Sequence, residues 1–245
     1  MRNIKLVLEY DGTAYHGWQV QKNAVSIQSI LEKALFTLLR EDVKATASGR
    51  TDAGVHAMNQ PVTFKTGSSM ETRRMLRGLN GILPEDIVVK SVEEISLDFD
   101  ARRSSKKKTY RYVILNREAP SALDRERCWH IRPKLDLEMM RKAAEQLVGE
   151  HDFSSFRASG CGAKHAVRRV LEVAFEEKGN GYIHFEITAY AFLKQMVRNI
   201  VGTLVALGLG KMTMEEFRQL LEAKDRTKAG ATAPPQGLFL LKVDY

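Results

Sequence analysis

Hydrophobic positions repeat with two periods along this chain, and the switches between them mark its elements. Ile4, Leu6, Leu8 and Tyr10 alternate with other residues, the two-residue period of a strand. From Ile27 the period lengthens: Ile27, Ile30, Leu31, Ala34, Leu35 and Leu38 make one helical face, with Ser26 placed to cap it. Strand-like runs follow near 43–49 and 55–65, separated by a glycine-bracketed loop. A helix near 70–81 carries Met75, Leu76 and Leu79 on one side, and Gly81 and Pro84 end it. A strand near 87–95 completes the order β-α-β-β-α-β.

The second half repeats that order of elements without residue-by-residue identity. Thr109–Leu115 reads as a strand, and Asp136 is placed to cap a helix over 137–148. Strands near 167–178 and 182–190 are joined by the turn-forming Gly179-Asn180-Gly181. A long helix covers about 193–208, another begins at Thr213 with Glu216 at capping-box spacing, and a last strand spans Leu238–Val243. The pattern predicts an α+β fold of two βαββαβ halves, each ferredoxin- or RRM-like. Their sheets are mostly antiparallel, joined around a central active-site cleft with the helices on the outer face. The expected division is 1–105 and 106–245.

Composition narrows the function. A chain of 245 residues buries a sizeable core, and 38 Lys and Arg against 30 Asp and Glu leave a charge of +8. That excess suits a polyanionic partner. The apolar tract near 192–209 is broken by Lys194, Gln195, Arg198 and Asn199, so it predicts a core helix rather than a membrane span. The chain enters a strand pattern at once, with no signal-like apolar region, and a cytoplasmic location is expected. Cys128 and Cys161 fit no zinc spacing, no metal-ligand cluster is evident, and both cysteines are expected as thiols.

One loop concentrates the candidate chemistry: Ser48-Gly49-Arg50-Thr51-Asp52-Ala53-Gly54-Val55-His56-Ala57. The two glycines permit tight bending or close backbone approach. In extended chain Arg50 and Asp52 share a face, and a guanidinium keeps a neighbouring carboxylate ionised. With no second acid nearby, Asp52 reads as a lone nucleophile or base, or else as part of a solvated turn. A second signal is the run Ala101–Arg111, with Arg102, Arg103, Lys106, Lys107, Lys108 and Arg111 leading into Tyr110 and Tyr112. Cations neutralise phosphates and an aromatic face stacks an unpaired base, whereas the plainer alternative is a solvated linker and core tyrosines. Arg198, at the edge of the apolar stripe of its helix, either snorkels to solvent or reaches a buried acid. His16 and His56 read as loop residues, His151 as structural, and Trp18 as packing beneath the loop.

Together these residues resemble the bacterial tRNA pseudouridine synthase A family nearly end to end. The resemblance rests on Asp11-Gly12-Thr13 with Gly17-Trp18-Gln19, the Gly49–Ala57 loop and Lys108-Thr109-Tyr110-Arg111-Tyr112. It continues through His151-Asp152-Phe153 with Phe156, Phe192-Leu193 with Gln195-Met196-Val197-Arg198, and Gly237-Leu238. It implies isomerisation of uridine in the anticodon stem-loop of tRNA, by a homodimer in which one tRNA touches both subunits. Asp52 would be the catalytic aspartate, Tyr110 would stack on the base, Arg198 would pair with Asp52, Leu238 would line the base pocket and Arg50 would help extrude the nucleotide. Arg102, Arg103, Lys106, Lys107 and Lys108 are candidates for the tRNA backbone. The isomerisation consumes no electron acceptor or group donor, so no cofactor is expected. Two rivals stand beside this reading. A non-catalytic RNA-binding module leaves the Asp52 loop without a purpose, and a glycoside or nucleoside hydrolase wants a second carboxyl.

Overall fold

A computed structural model describes residues 1–245 and divides them into two compact units, Met1–Lys106 with Phe239–Tyr245, and Lys107–Leu238. In the first unit the chain runs β1 (Arg2–Tyr10), α1 (Ile27–Leu39), β2 (Thr46–Ala47), β3 (His56–Thr66), α2 (Thr72–Ile82) and β4 (Ile87–Ile95). This is the expected order. β1 lies between β3 and β4, antiparallel to both, and the short β2 pairs with β3. Ile4, Leu6 and Leu8 alternate into the core with no exposure, as their period requires. Ser26 and Ser29 form a reciprocal capping box at the start of α1. Asn80 of α2 ties that helix to β4 through two hydrogen bonds to the Val89 main chain.

The second unit holds β5 (Lys107–Asn116), β6 (Trp129–Ile131), α3 (Leu137–Glu145), β7 (Gly149–Asp152), β8 (Val167–Gly179), β9 (Tyr182–Ala189), α4 (Met196–Gly208) and α5 (Met214–Ala223). Its sheet runs β5-β9-β8-β7, antiparallel throughout, with β6 added parallel to β5. Asp136 caps α3 by accepting from the Met139 N–H, and Thr213 with Glu216 completes a capping box on α5. The β8–β9 hairpin turns through three successive positive φ angles, 80°, 51° and 82° at Gly179, Asn180 and Gly181.

Three features depart from the sequence pattern. β6 and β7 are short additions that no periodicity announced. The run near 43–49 contributes only two paired residues, because β2 meets β3 at Thr46↔Thr63 and Ala47↔Val62 alone. The long helix begins at Met196 and not near 193, since Gln195 takes a left-handed φ of 58° that a helix cannot continue.

The last strand, β10 (Leu238–Asp244), belongs from Phe239 onward to the first unit and not to the half assigned as 106–245. It runs parallel to β3 with Phe239↔His56 and Leu240↔Ala57 in register. Asn59 Nδ2 donates to the Leu241 carbonyl at 2.8 Å and the Lys106 N–H to the Asp244 carbonyl at 2.8 Å. Tyr245 packs on Phe99 and donates its hydroxyl to the Ala101 carbonyl. A parallel partner nearly two hundred residues away in sequence leaves no local trace in either strand's pattern. No helix is long and apolar enough to cross a membrane.

Candidate active site

The Asp52 loop is folded by its backbone. The Val55 N–H donates to the Asp52 carbonyl at 3.2 Å across a turn in which Gly54 holds a positive φ of 74°. Beneath it lies the segment after β1. Trp18 N–H donates to the Thr51 carbonyl at 3.1 Å and Gly54 N–H to the Tyr15 carbonyl at 3.2 Å. The approach is too close for side chains: a Cβ on Gly12 would stand 2.0 Å from the Val55 carbonyl oxygen, and one on Gly17 2.5 Å from that of Thr51. This explains the glycines of the 11–19 segment, in which the Trp18 side chain is buried.

Polar side chains finish the clamp. The Tyr10 hydroxyl meets Thr51 Oγ1 at 2.8 Å, Gln60 Nε2 donates to the Gly49 carbonyl at 2.8 Å, and Ser48 donates to Gln60 Oε1 at 2.7 Å. Burial pushes the Tyr10 hydroxyl far up, so it stays protonated. With Thr51 buried, Arg50 is exposed and Asp52 half-buried. His56 is sealed in and stacks on Phe239, ring centroids 4.6 Å apart. Its Nδ1 accepts from the Gly12 N–H at 3.0 Å, which requires the lone pair there. Asp11 Oδ1 lies 3.1 Å from the same nitrogen. His16 is exposed.

The candidate residues of the second unit stand on regular elements. Tyr110 and Tyr112 share one face of β5. Tyr112 is wholly buried and donates to the Pro234 carbonyl at 2.7 Å, so it fills the core. Tyr110 keeps 8% exposure and meets Phe192 edge-on, centroids 5.0 Å apart at 85°. Gly237 lies against the Tyr112 ring, where a Cβ would come within 2.6 Å, and Leu238 follows it at 6% exposure. Of the basic run, Arg111 is consumed by Glu186 across the β5–β9 pair, with bonds of 2.9 and 2.7 Å to Oε1. Lys107 is exposed and Lys108 half-buried, and in the first unit Arg102, Arg103 and Lys106 are exposed. His151 Nε2 donates to the Val148 carbonyl at 3.1 Å and meets Phe153 edge-on, a structural role.

Arg198 does not simply snorkel. Its Nε donates to the Ala233 carbonyl at 2.8 Å while its own carbonyl accepts from the Ala233 N–H at 3.1 Å. Ala233 ends a strap, residues 225–233, that is bound tightly to α4. Arg226 Nη2 donates to Asn199 Oδ1 and Thr232 Oγ1, each at 3.0 Å, and its Nη1 donates to the Gly230 carbonyl at 3.0 Å. Thr232 also donates to Asn199 Oδ1 at 2.7 Å, and the fully buried Asn199 donates to the Phe156 carbonyl at 2.8 Å. Main chain meets main chain at Gly202, where a Cβ would fall 1.7 Å from the Ala231 carbonyl oxygen. Sequence reasoning passed over Asn199, Gly202, Arg226 and Thr232. The one trace was two glycines, Gly202 inside an apolar helix and Gly230 in the strap, which periodicity alone leaves unexplained. No group of three or more His, Cys, Asp or Glu is placed to hold a metal ion.

The family model described as tRNA pseudouridine synthase matches residues 6–102 and 143–245. The tRNA pseudouridine synthase A of Thermoanaerobacter sp. (strain X514) is 48% identical over 245 residues, covering all of both chains. That of Acetivibrio thermocellus is 47% identical over the same full lengths, and that of Myxococcus xanthus 47% identical over all of this chain and 92% of its own. A solved archaeal box H/ACA sRNP Nop10–Cbf5 complex aligns with 83% of this chain and 42% of its own at 12% identity and a TM-score of 0.39, too distant to carry an argument.

Proposed function

Because the chain belongs to the tRNA pseudouridine synthase family, isomerases that act on tRNA uridine, we propose that it converts uridines of the anticodon stem-loop to pseudouridine with Asp52 as the catalytic carboxylate and no cofactor. The observation that carries this reading is the Asp52 loop itself. A half-buried acid is held on a turn secured by main-chain contacts on which no side chain can intrude.

The reaction breaks the bond from N1 to the ribose C1′ and joins C5 to that same carbon. The C5 hydrogen leaves as a proton and N1 gains one, so atoms and electrons balance within the substrate. Three tasks follow. A carboxylate must act on the sugar or the base, and Asp52 does so, with Arg198 as its partner. The detached uracil must be kept from leaving, which Tyr110 and Leu238 do by stacking and by an apolar wall. The nucleotide must first leave its stack, and the exposed Arg50 assists by occupying the space it vacates. Excluding water protects the cleaved state. Arg102, Arg103, Lys106, Lys107 and Lys108 hold the tRNA backbone; replacing the three lysines with Ala should make binding measurably less salt-dependent. The working unit is a cytoplasmic homodimer, which sedimentation equilibrium of the purified protein checks.

The deciding experiment is tritium release from tRNA labelled at C5 of uridine, because forming the carbon–carbon bond expels that hydrogen. Asp52→Asn should lower the rate by about 10³-fold or more while tRNA affinity is largely kept. Normal turnover by Asp52→Asn would sink the assignment, and tight tRNA binding without release by the wild type would favour a non-catalytic RNA-binding module.

A further inference from the structure

A cleft of about 760 Å³ opens in the second unit between the segment 154–161, the start of α4 and the strap 226–231. Its volume is within the range of ligand sites, about 300–1,000 Å³. The lining is unusual in its charge. It contains Arg157 and Arg226 and neither an Asp nor a Glu, and it contains no aromatic ring. The two arginines play different parts. Arg226 spends both of its terminal nitrogens on the strap and Asn199, so it contributes charge to the wall and fixes its shape. Arg157 spends only Nη2, on the Cys161 and Ala163 carbonyls at 2.8 and 2.7 Å, and its Nε and Nη1 have no protein partner. The Gln195 amide, on the cleft wall, is also unpartnered, and Lys194 extends its ammonium to the Ser159 carbonyl at the rim, 3.3 Å away.

The surroundings favour a negative guest. Burial pushes the Arg168 guanidinium down, Cys161 opposes that shift and the Arg157 charge adds to it, and the buried Nε of Arg168 has no hydrogen-bond partner. The two neighbouring guanidiniums repel each other, and the cleft lining holds no carboxylate to offset them. Cys161 reports the same field. Burial pushes its thiol up, but the Lys194 and Ala163 N–H groups and Arg157 outweigh burial and bring it down.

We propose that this cleft holds a phosphodiester of the tRNA strand that flanks the target uridine. The inference rests on the reading of the chain as a tRNA isomerase and adds a strand-binding subsite to it. A guanidinium with two unused donors matches a phosphate, and the lack of any aromatic surface selects the backbone over a base. Position agrees with the chemistry. Gln195, the residue before α4, precedes Arg198 by three residues, so a strand whose target nucleotide lies at the site that Arg198 serves presents a neighbouring phosphate towards the cleft.

The test is tRNA affinity across a salt series for the wild type, Arg157→Gln and Gln195→Glu. Gln195→Glu introduces a carboxylate at the wall without removing any bond. It should bind about ten-fold more weakly at low salt, with the deficit shrinking as salt rises. Arg157→Gln should flatten the slope of log affinity against log salt by about 0.7–0.9, one phosphate contact. Gln195→Glu with wild-type affinity at every salt concentration, and the same melting midpoint, would overturn the proposal. Inorganic phosphate added at constant ionic strength separates a free anion from a strand: if it abolishes the difference between the wild type and Gln195→Glu, the cleft is a free-phosphate site and the strand proposal fails. Tritium release on the same preparations keeps the two readings apart, since loss of release with the salt effects intact would sink the isomerase and leave the cleft an RNA-binding site.

Discussion

The Asp52 loop and the Arg198 helix are both pinned by backbone packed too tightly for a Cβ, yet they are finished with different chemistry. In the first unit the clamp is neutral, made of the Tyr10, Thr51, Ser48 and Gln60 side chains. In the second it is a cation, Arg226, surrounded by carbonyl, amide and hydroxyl acceptors. A neutral clamp fixes the shape of the loop that carries Asp52 without adding a charge beside it. A charged clamp adds its own positive potential to the region it shapes.

Substitutions can separate these two designs. The largest effect is expected from Gly202→Ala, whose Cβ would meet the Ala231 carbonyl oxygen at 1.7 Å, main chain that cannot swing aside. Urea unfolding should show a loss of about 3 kcal/mol, and tritium release should fall with it. Gly17→Ala combines a 2.5 Å contact with a positive φ of 84° and should cost about 2 kcal/mol, with a defect in turnover exceeding the defect in tRNA binding. Equal loss of both would show that the loop serves binding and not chemistry. Arg226→Lys keeps the charge but not the fork, and should cost about 1–2 kcal/mol because Asn199 and Thr232 lose a shared donor. The smallest pair compares the capping boxes. Ser26→Ala, at a fully buried cap, should cost about 1 kcal/mol, and Thr213→Ala, at an exposed one, about half as much by thermal denaturation. Equal losses would mean that burial adds nothing to the cap.

What could be read beforehand followed from how local each signal is. The Ser26 cap, the Thr213–Glu216 capping box, the Gly179-Asn180-Gly181 turn and the alternation of β1 depend on residues a few positions apart, and they appear in the structure where the pattern placed them. The Asp52 loop was visible because glycines at both ends of a polar run are costly unless something approaches closely. The support of Arg198 was not visible. It depends on Arg226 and Ala233, about thirty residues downstream, meeting one turn of helix, and nothing in the amphipathic stripe of 196–208 encodes that meeting. The engagement of Arg111 was hidden for the same reason, since its partner is a glutamate on a strand that comes seventy-five residues later.

The return of β10 to the first unit also sets a timetable. A ribosome that has made β3 must still translate the whole of Lys107–Leu238 before Phe239 can cover His56. At about 5–20 residues per second this delay is on the order of ten seconds. During it the emerging first unit carries an unpaired strand edge immediately beside the loop that bears Asp52, and a nascent-chain holdase or a neighbouring polysome product has that long to compete for it.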